Sequence, residues 1–270
     1  VPSVDQGMVM ALRAQGVLTI EDLLANFTEE QLTELPRPWG KGSQRVGKKA
    51  GAALREAKAL ATGKEIMIAP PDLPKSDNWV AFDLEGLPPQ FDESDKVYLW
   101  GIQVFGTKPG EFQAAVAGFG EDGDREGWED FLAKSQAIFD DYGDLPFVHW
   151  ASYEKTKIDL YVDRFGDIDG IAARVRENLL DLLPITKRSI ALPLPSYSLK
   201  VIERYVGFER TQDEYGGDWS IAKYIEAVET EDEDQRKALM DDILYYNRED
   251  LEATWAVLVW LSGNAMQPKN

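Results

Sequence analysis

WVAFDLEG (residues 79–86), KVYLWGIQVFG (96–106) and EFQAAVAGFG (111–120) follow one another along the chain. Each is an apolar run rich in β-branched or aromatic residues and bounded by Gly, Pro or charge, which reads as a strand. Three such runs in succession predict an antiparallel meander. Beyond them, REGWEDFLAKSQAIFDDYG (125–143) carries the apolar spacing of an amphipathic helix. LPFVHWA (145–151) is a short apolar strand, and SYEKTKIDLYVDRFG (152–166) returns to helix. Three strands, then helix, strand and helices, predict an α/β fold with a mixed sheet flanked by helices. VRENLLDLLPITKRSI (175–190) reads as helical or mixed. LKVIERYVG (199–207) reads as a helix capped by Ser198 and ended by Gly207, and DILYYNREDLEATWAVLVWL (242–261) as a long final helix. Between those two, EAVETEDEDQRK (226–237) has the composition of a solvated helix face or loop.

Toward the N-terminus the period changes. Residues 1–64 read as a small all-helical domain. MVMALRAQGV (8–17) and TIEDLLANF (19–27) repeat apolar residues three or four apart. Thr19 precedes an acidic first turn, and Thr28 with Gln31 forms a capping box. PRPWGKG (36–42) reads as a turn leading into the basic helix SQRVGKKAGAALREAKALA (43–61). EIMIAPPDLPKSDN (65–78), with three prolines, reads as a linker to a larger domain spanning 79–264.

Composition narrows the function. The 270 residues suffice for a sizeable core, and 44% hydrophobic with 29% charged residues is ordinary for a globular protein. There is no Cys and one His, which removes disulfides, thiolate zinc sites and Ser-His-Asp chemistry as leading options. No phosphate-cradling Gly-rich loop is present. No apolar stretch is long enough to span a membrane. The opening VPSVDQG lacks an initiator Met, as a processed product or a piece of a longer protein would, and lacks the pattern of a secretory leader. A cytoplasmic location is expected. Net charge is −19, which opposes broad attraction to nucleic acid. Yet residues 37–64 hold Arg37, Lys41, Arg45, Lys48, Lys49, Arg55, Lys58 and Lys64 against Glu56 alone.

Three contexts carry the acidic residues of interest. Asp83 and Glu85 stand two apart at the end of the first strand, which puts both on one face. The alternative is a pair of solvated carboxylates before the Gly86–Pro89 turn. Glu154 lies in the first turn of a helix, where the dipole alone would favour an acid. Tyr246 and Asp250 are one helical turn apart and share a face, while Tyr245 points about 100° away. The alternative for the two tyrosines is ordinary core packing with hydroxyls at the rim. Together, acid-x-acid on a strand, an acid early in a helix and Tyr-x-x-x-Asp on a late helix suit two divalent metals held by carboxylates. That is the arrangement in-line phosphodiester hydrolysis uses. Hard oxygen donors select Mg²⁺ or Mn²⁺. His149 reads as a packing residue or a partner of a ligand.

These motifs resemble those of the DnaQ-like, or DEDD, 3′–5′ exonucleases. FDLEG resembles their first motif. HWASYE is similar to the second, whose usual form is H-N-x-x-F-D, with Glu154 standing for Asp and Trp150 for Asn. YNRED supplies the Tyr-x-x-x-Asp of the tyrosine subclass (DEDDy). Residues 179–208 are similar to the stretch joining the second and third motifs. The chain also resembles a bacterial subgroup of predicted RecB-family nucleases that carry a C-terminal RNase H-like domain behind a helical segment. The resemblance implies a ribonuclease H-like fold in which Asp83, Glu85, Glu154 and Asp250 hold two Mg²⁺ or Mn²⁺ ions and Tyr246 orients the attacking water. The implied substrate is a single-stranded DNA or RNA 3′ end, and the implied partner is a RecB-like nuclease region outside this chain, in DNA repair. Alternatives on the same fold are a catalytically weak binding module and a structure-specific endonuclease. Residues 1–64 resemble a helix-hairpin-helix, with Leu35–Gly42 as the hairpin and Lys41, Arg45, Lys48 and Lys49 as nucleic-acid contacts; the alternative is a solvated helical cap.

Overall fold

A computed structural model describes residues 1–88, 95–118, 122–211 and 216–265. The chain divides into two compact units: Val1–Asp72, Leu183–Tyr205 and the stretch from Leu261 onward form one, and Leu73–Leu182 with Val206–Trp260 form the other.

The first unit opens with three short helices, α1 (Gln6–Ala14), α2 (Ile20–Asn26) and α3 (Glu29–Glu34). Each begins on a side chain that satisfies an otherwise unpaired backbone N–H: Asp5, Thr19 and Thr28, the last two in reciprocal capping boxes with Asp22 and Gln31. The stretch expected to be the turn of an all-helical module is instead a two-stranded antiparallel ribbon, β1 (Pro36–Trp39) and β2 (Gly42–Arg45). Pro36 and Pro38 cannot donate to a helical ladder, and Gly40 takes the positive φ (57°) of a tight turn. Helix α4 (Lys49–Thr62) follows and ends on Gly63 in the left-handed conformation. Met8, Leu12, Leu23, Leu32, Ala50 and Ala53 meet in this unit's core. The start of the stretch read as a linker is tied down as β3 (Ile66–Met67).

The second unit is built on a five-stranded sheet. It comprises β4 (Asn78–Leu87), β5 (Lys96–Gly106), β6 (Gln113–Val116), β7 (Phe147–His149) and β8 (Leu179–Asp181), in the order β6-β5-β4-β7-β8. The first three form the expected antiparallel meander; β7 and β8 add in parallel. Strand β8 was not separable by sequence, because three residues inside an apolar-charged run also fit a helix. The expected third strand is shorter than EFQAAVAGFG, whose Phe119 and Gly120 lie outside the described residues. Helices α5 (Gly123–Tyr142), α6 (Tyr153–Phe165) and α7 (Ile171–Glu177) cover one face, where Val80, Phe82 and Leu84 of β4 pack with Trp100, Trp128, Phe131, Phe147 and Tyr161.

The chain then runs through α8 (Leu182–Ser189), β9 (Ile190–Ala191) and α9 (Leu199–Tyr205). β9 pairs antiparallel with β3, so residues 183–205 group with the N-terminal helices rather than with the sheet that precedes them. Helix α9 starts directly after Ser198, whose carbonyl accepts from the N–H groups of Val201 and Ile202. Helices α10 (Gly217–Glu229) and α11 (Glu233–Ala265) follow. On the second face of the sheet, Tyr98, Leu99 and Ala117 pack with Tyr224 of α10 and Ile243 of α11. Among the described residues no helix is long and apolar enough to cross a membrane.

Candidate metal centre

Alternation along β4 separates two roles. Val80, Phe82 and Leu84 enter the core, so Asp83 and Glu85 face the other way, toward the side that α10 and α11 cover. A register shift falls at Glu85/Gly86, where β5 carries the extra residue, Tyr98, opposite the strand end on which the two acids stand. Asp250 reaches the same place from α11, and one carboxylate oxygen from each of Asp83, Glu85 and Asp250 lies within 4.8 Å of the other two. Glu85 and Asp250 are buried and Asp83 is half-buried.

Three like charges at this spacing need compensation. Burial first, then the charges of Asp250, Glu85 and Glu154, push the Asp83 carboxyl well above the usual carboxylate range; Arg210 opposes the shift. Arg210 forms an ion pair with Asp250 and lies 5.6 Å from the Tyr246 ring centroid. Asn247 donates from Nδ2 to Asp83 Oδ2 (2.8 Å), and Ser220 donates from Oγ to Glu85 Oε2 (2.8 Å) while sharing a hydrogen bond with Tyr98. The Asn247 amide passes over β5 at Gly101, which is paired with Asp83 in the sheet register. A Cβ on Gly101 would stand 1.8 Å from Asn247 Oδ1, so glycine is what lets the amide in.

The expected residues do not all converge. Glu154 is buried and bonded to His149 (Nδ1 to Oε2, 3.1 Å), outside the close trio. Burial pushes its carboxyl up, with the His149 hydrogen bond opposing. Ser152 stands at the start of α6, but its side chain does not cap it. Just before it, Ala151 takes a left-handed conformation (φ 73°), strained for a residue with a Cβ, and its N–H is held by Asp181 at the end of β8 (3.0 Å). Tyr246 is buried; burial, then Asp250, Glu85 and Asp83, raise its hydroxyl far above the ordinary tyrosine value, so it stays protonated. Tyr245 is exposed and shares a hydrogen bond with Thr211 instead. Of the basic residues, Arg45 pairs with Glu34 (2.6 Å) and Lys49 with Asp5 (2.8 Å), whereas Lys41 and Lys48 are exposed.

A family model described as the RNase H superfamily matches residues 80–262, most of the chain. The chain belongs to the RNase H superfamily. Its five-stranded mixed sheet flanked by helices agrees with an RNase H-like fold. No curated protein and no solved structure is significantly similar to it. In this RNase H-like chain the trio is an all-oxygen donor set, largely buried and crowded, so its chemistry fits a hard divalent cation.

Sequence reasoning passed over Arg210, Asn247, Ser220 and Asp181. Asn247 had a signal. It lies three before Asp250, four before Leu251 and seven before Thr254, on the stripe of α11 that the structure buries. Arg210 had none, because it lies between helices where no periodicity operates.

Proposed function

We propose that this chain is a metal-dependent 3′–5′ exonuclease of the DnaQ-like tyrosine subclass, hydrolysing phosphodiester bonds at single-stranded DNA or RNA ends. The observation that carries the reading is the trio of carboxylates on a strand end and a late helix of an RNase H-superfamily chain. Asp83, Glu85 and Asp250 would hold Mg²⁺ or Mn²⁺, with Glu154, fixed by His149, as the fourth carboxylate. Two such ions, when bound, supply Lewis-acid activation of water and stabilisation of the leaving oxygen. The protonated Tyr246 hydroxyl would hold the attacking water in line by hydrogen bonding. Asn247 and Ser220 would fix the rotamers of Asp83 and Glu85, as partners behind metal ligands do.

The same reading makes residues 1–64 a nucleic-acid-binding module and residues 79–264 the exonuclease domain. Exposed Lys41 and Lys48 would lead the phosphate contacts, with Arg45 and Lys49 behind them. A RecB-like nuclease region would be the natural partner, in DNA repair.

One observation favours a second reading. Arg210 already neutralises Asp250, as it would in a catalytically weak module that binds nucleic acid without turning it over. Single strands labelled at the 5′ end, incubated with the protein and Mn²⁺, separate the two. The exonuclease shortens the strand from its 3′ end, stops at a 3′ block and spares a closed circle. Strand binding without hydrolysis selects the second reading. Cut circles would instead mean an endonuclease.

A further inference from the structure

Trp39 ends β1 beside the Gly40–Lys41 turn and is 56% exposed, although a tryptophan is among the largest apolar groups available for burial. One face of its ring is covered by the guanidinium of Arg37, 4.7 Å from the centroid. Arg37 is itself buried and anchored to both carboxylate oxygens of Asp5 at 2.8 Å, which fixes the ring from below. The rest of the ring borders an open cleft of about 360 Å³ that is also lined by Met10, 55% exposed.

A single exposed aromatic needs no explanation. This one is pinned by a buried arginine, shares a cleft with a second exposed apolar side chain, and stands in a stretch with eight basic residues against one acid in a chain of net charge −19; of the eight, Arg37 and Lys49 pair with Asp5, which also lines the cleft, and Arg45 pairs with Glu34. Exposed Lys41 follows it by two residues, and exposed Lys48 precedes α4. The exposed charge of Lys41 and Lys48 complements a polyanion and not an apolar protein helix. We propose that Trp39 is a stacking platform for one base of a single-stranded nucleic acid, with Lys41 and Lys48 contacting its phosphates. A flat π-face flanked by cations binds any base without reading sequence. The proposal rests on the nucleic-acid substrate proposed above, and adds a site on the other compact unit from the carboxylates.

The test is equilibrium binding of the full chain in EDTA, read by fluorescence anisotropy with a labelled oligothymidylate and an abasic oligomer of equal length. Trp39→Ala should weaken oligothymidylate binding about 5- to 150-fold, the usual worth of one stacked base, and leave abasic binding unchanged. Trp39→Tyr should stay within a few-fold of the parent. Trp39→Leu, apolar but without a π-face, should behave like Trp39→Ala. The proposal is overturned if Trp39→Ala binds like the parent, if it loses equally on both oligomers, if Trp39→Leu retains binding, or if Trp39→Tyr is as weak as Trp39→Ala. No hydrolysis is read, so failure here leaves the exonuclease reading standing. Failure of hydrolysis with this pattern intact would remove only the exonuclease.

Discussion

Gly101→Ala is the smallest change that should disturb the carboxylate cluster without touching a carboxylate. The new Cβ would lie 1.8 Å from Oδ1 and 2.8 Å from Cγ of Asn247, whose side chain is fully buried. Asn247 must swing away and give up its 2.8 Å hydrogen bond to Asp83. Overpacking of a tight site costs about 1–3 kcal/mol, and loss of a hydrogen bond to a charged group about 1.5–3 kcal/mol. The two overlap, since moving the amide relieves the clash, so a loss of roughly 2–4 kcal/mol is expected. In an Asn247→Ala background there is nothing to clash with, and Gly101→Ala should cost under about 1 kcal/mol, helped by alanine's smaller entropy loss on folding. The assay is urea unfolding in EDTA for the four proteins of this double-mutant cycle. A coupling above about 1.5 kcal/mol is expected. An equal cost of Gly101→Ala in both backgrounds would refute the reasoning, because the glycine would then not be there to admit Asn247.

Further outcomes follow from the same geometry. Asp83→Asn should raise the melting temperature in EDTA, by removing one of three crowded negative charges, and should shrink the stabilisation by Mn²⁺; equal Mn²⁺ shifts in parent and variant would remove Asp83 from the site. The raised Asp83 carboxyl also fixes a pH trend: between the ordinary carboxylate pKa and its folded-state value this group holds its proton in the native protein and not in the unfolded chain. Its contribution to metal-free stability therefore falls as pH rises through that window, and Asp83→Asn should remove this contribution in melts taken across the acid range. Tyr246→Phe should lower kcat by about 30- to 1,000-fold while Tyr245→Phe is nearly silent in the same steady-state assay, and the reverse order would shift the motif by one residue. Lys41→Glu with Lys48→Glu should weaken single-strand binding and reduce its log–log salt slope by roughly 0.7 for each phosphate no longer neutralised; an unchanged slope would make residues 1–64 a cap only.

Much of the second unit could be read from the sequence because its signals are local. The first two meander strands are long and apolar, the helix from residue 123 shows a clear 3.6-residue period, and the i, i+2 and i, i+4 spacings decide which acids share a face. What could not be read depends on pairing between distant residues. β8 is three residues long and exists because it pairs with β7; β3 and β9 are two residues each and exist only as partners. The β1–β2 ribbon lies where a turn between helices was expected; two prolines and a glycine are a local signal that points to a turn without specifying strands. In the cluster, Asp83, Glu85 and Asp250 were legible as a set, whereas the turn of Glu154 toward His149 was not, since rotamer choice in a buried pair is settled by packing. Arg210 reaches Asp250 across forty residues of chain, and no pattern in either segment announces it.

The central claim is that Asp83, Glu85 and Asp250 form a divalent-metal centre. Anomalous diffraction from crystals of the full chain soaked in Mn²⁺ tests it most directly. The account predicts an anomalous peak ligated by oxygens of all three carboxylates, with Arg210 drawn away from Asp250. A map without a peak between Asp83 and Asp250, with Arg210 still paired to Asp250 at saturating Mn²⁺, would contradict it.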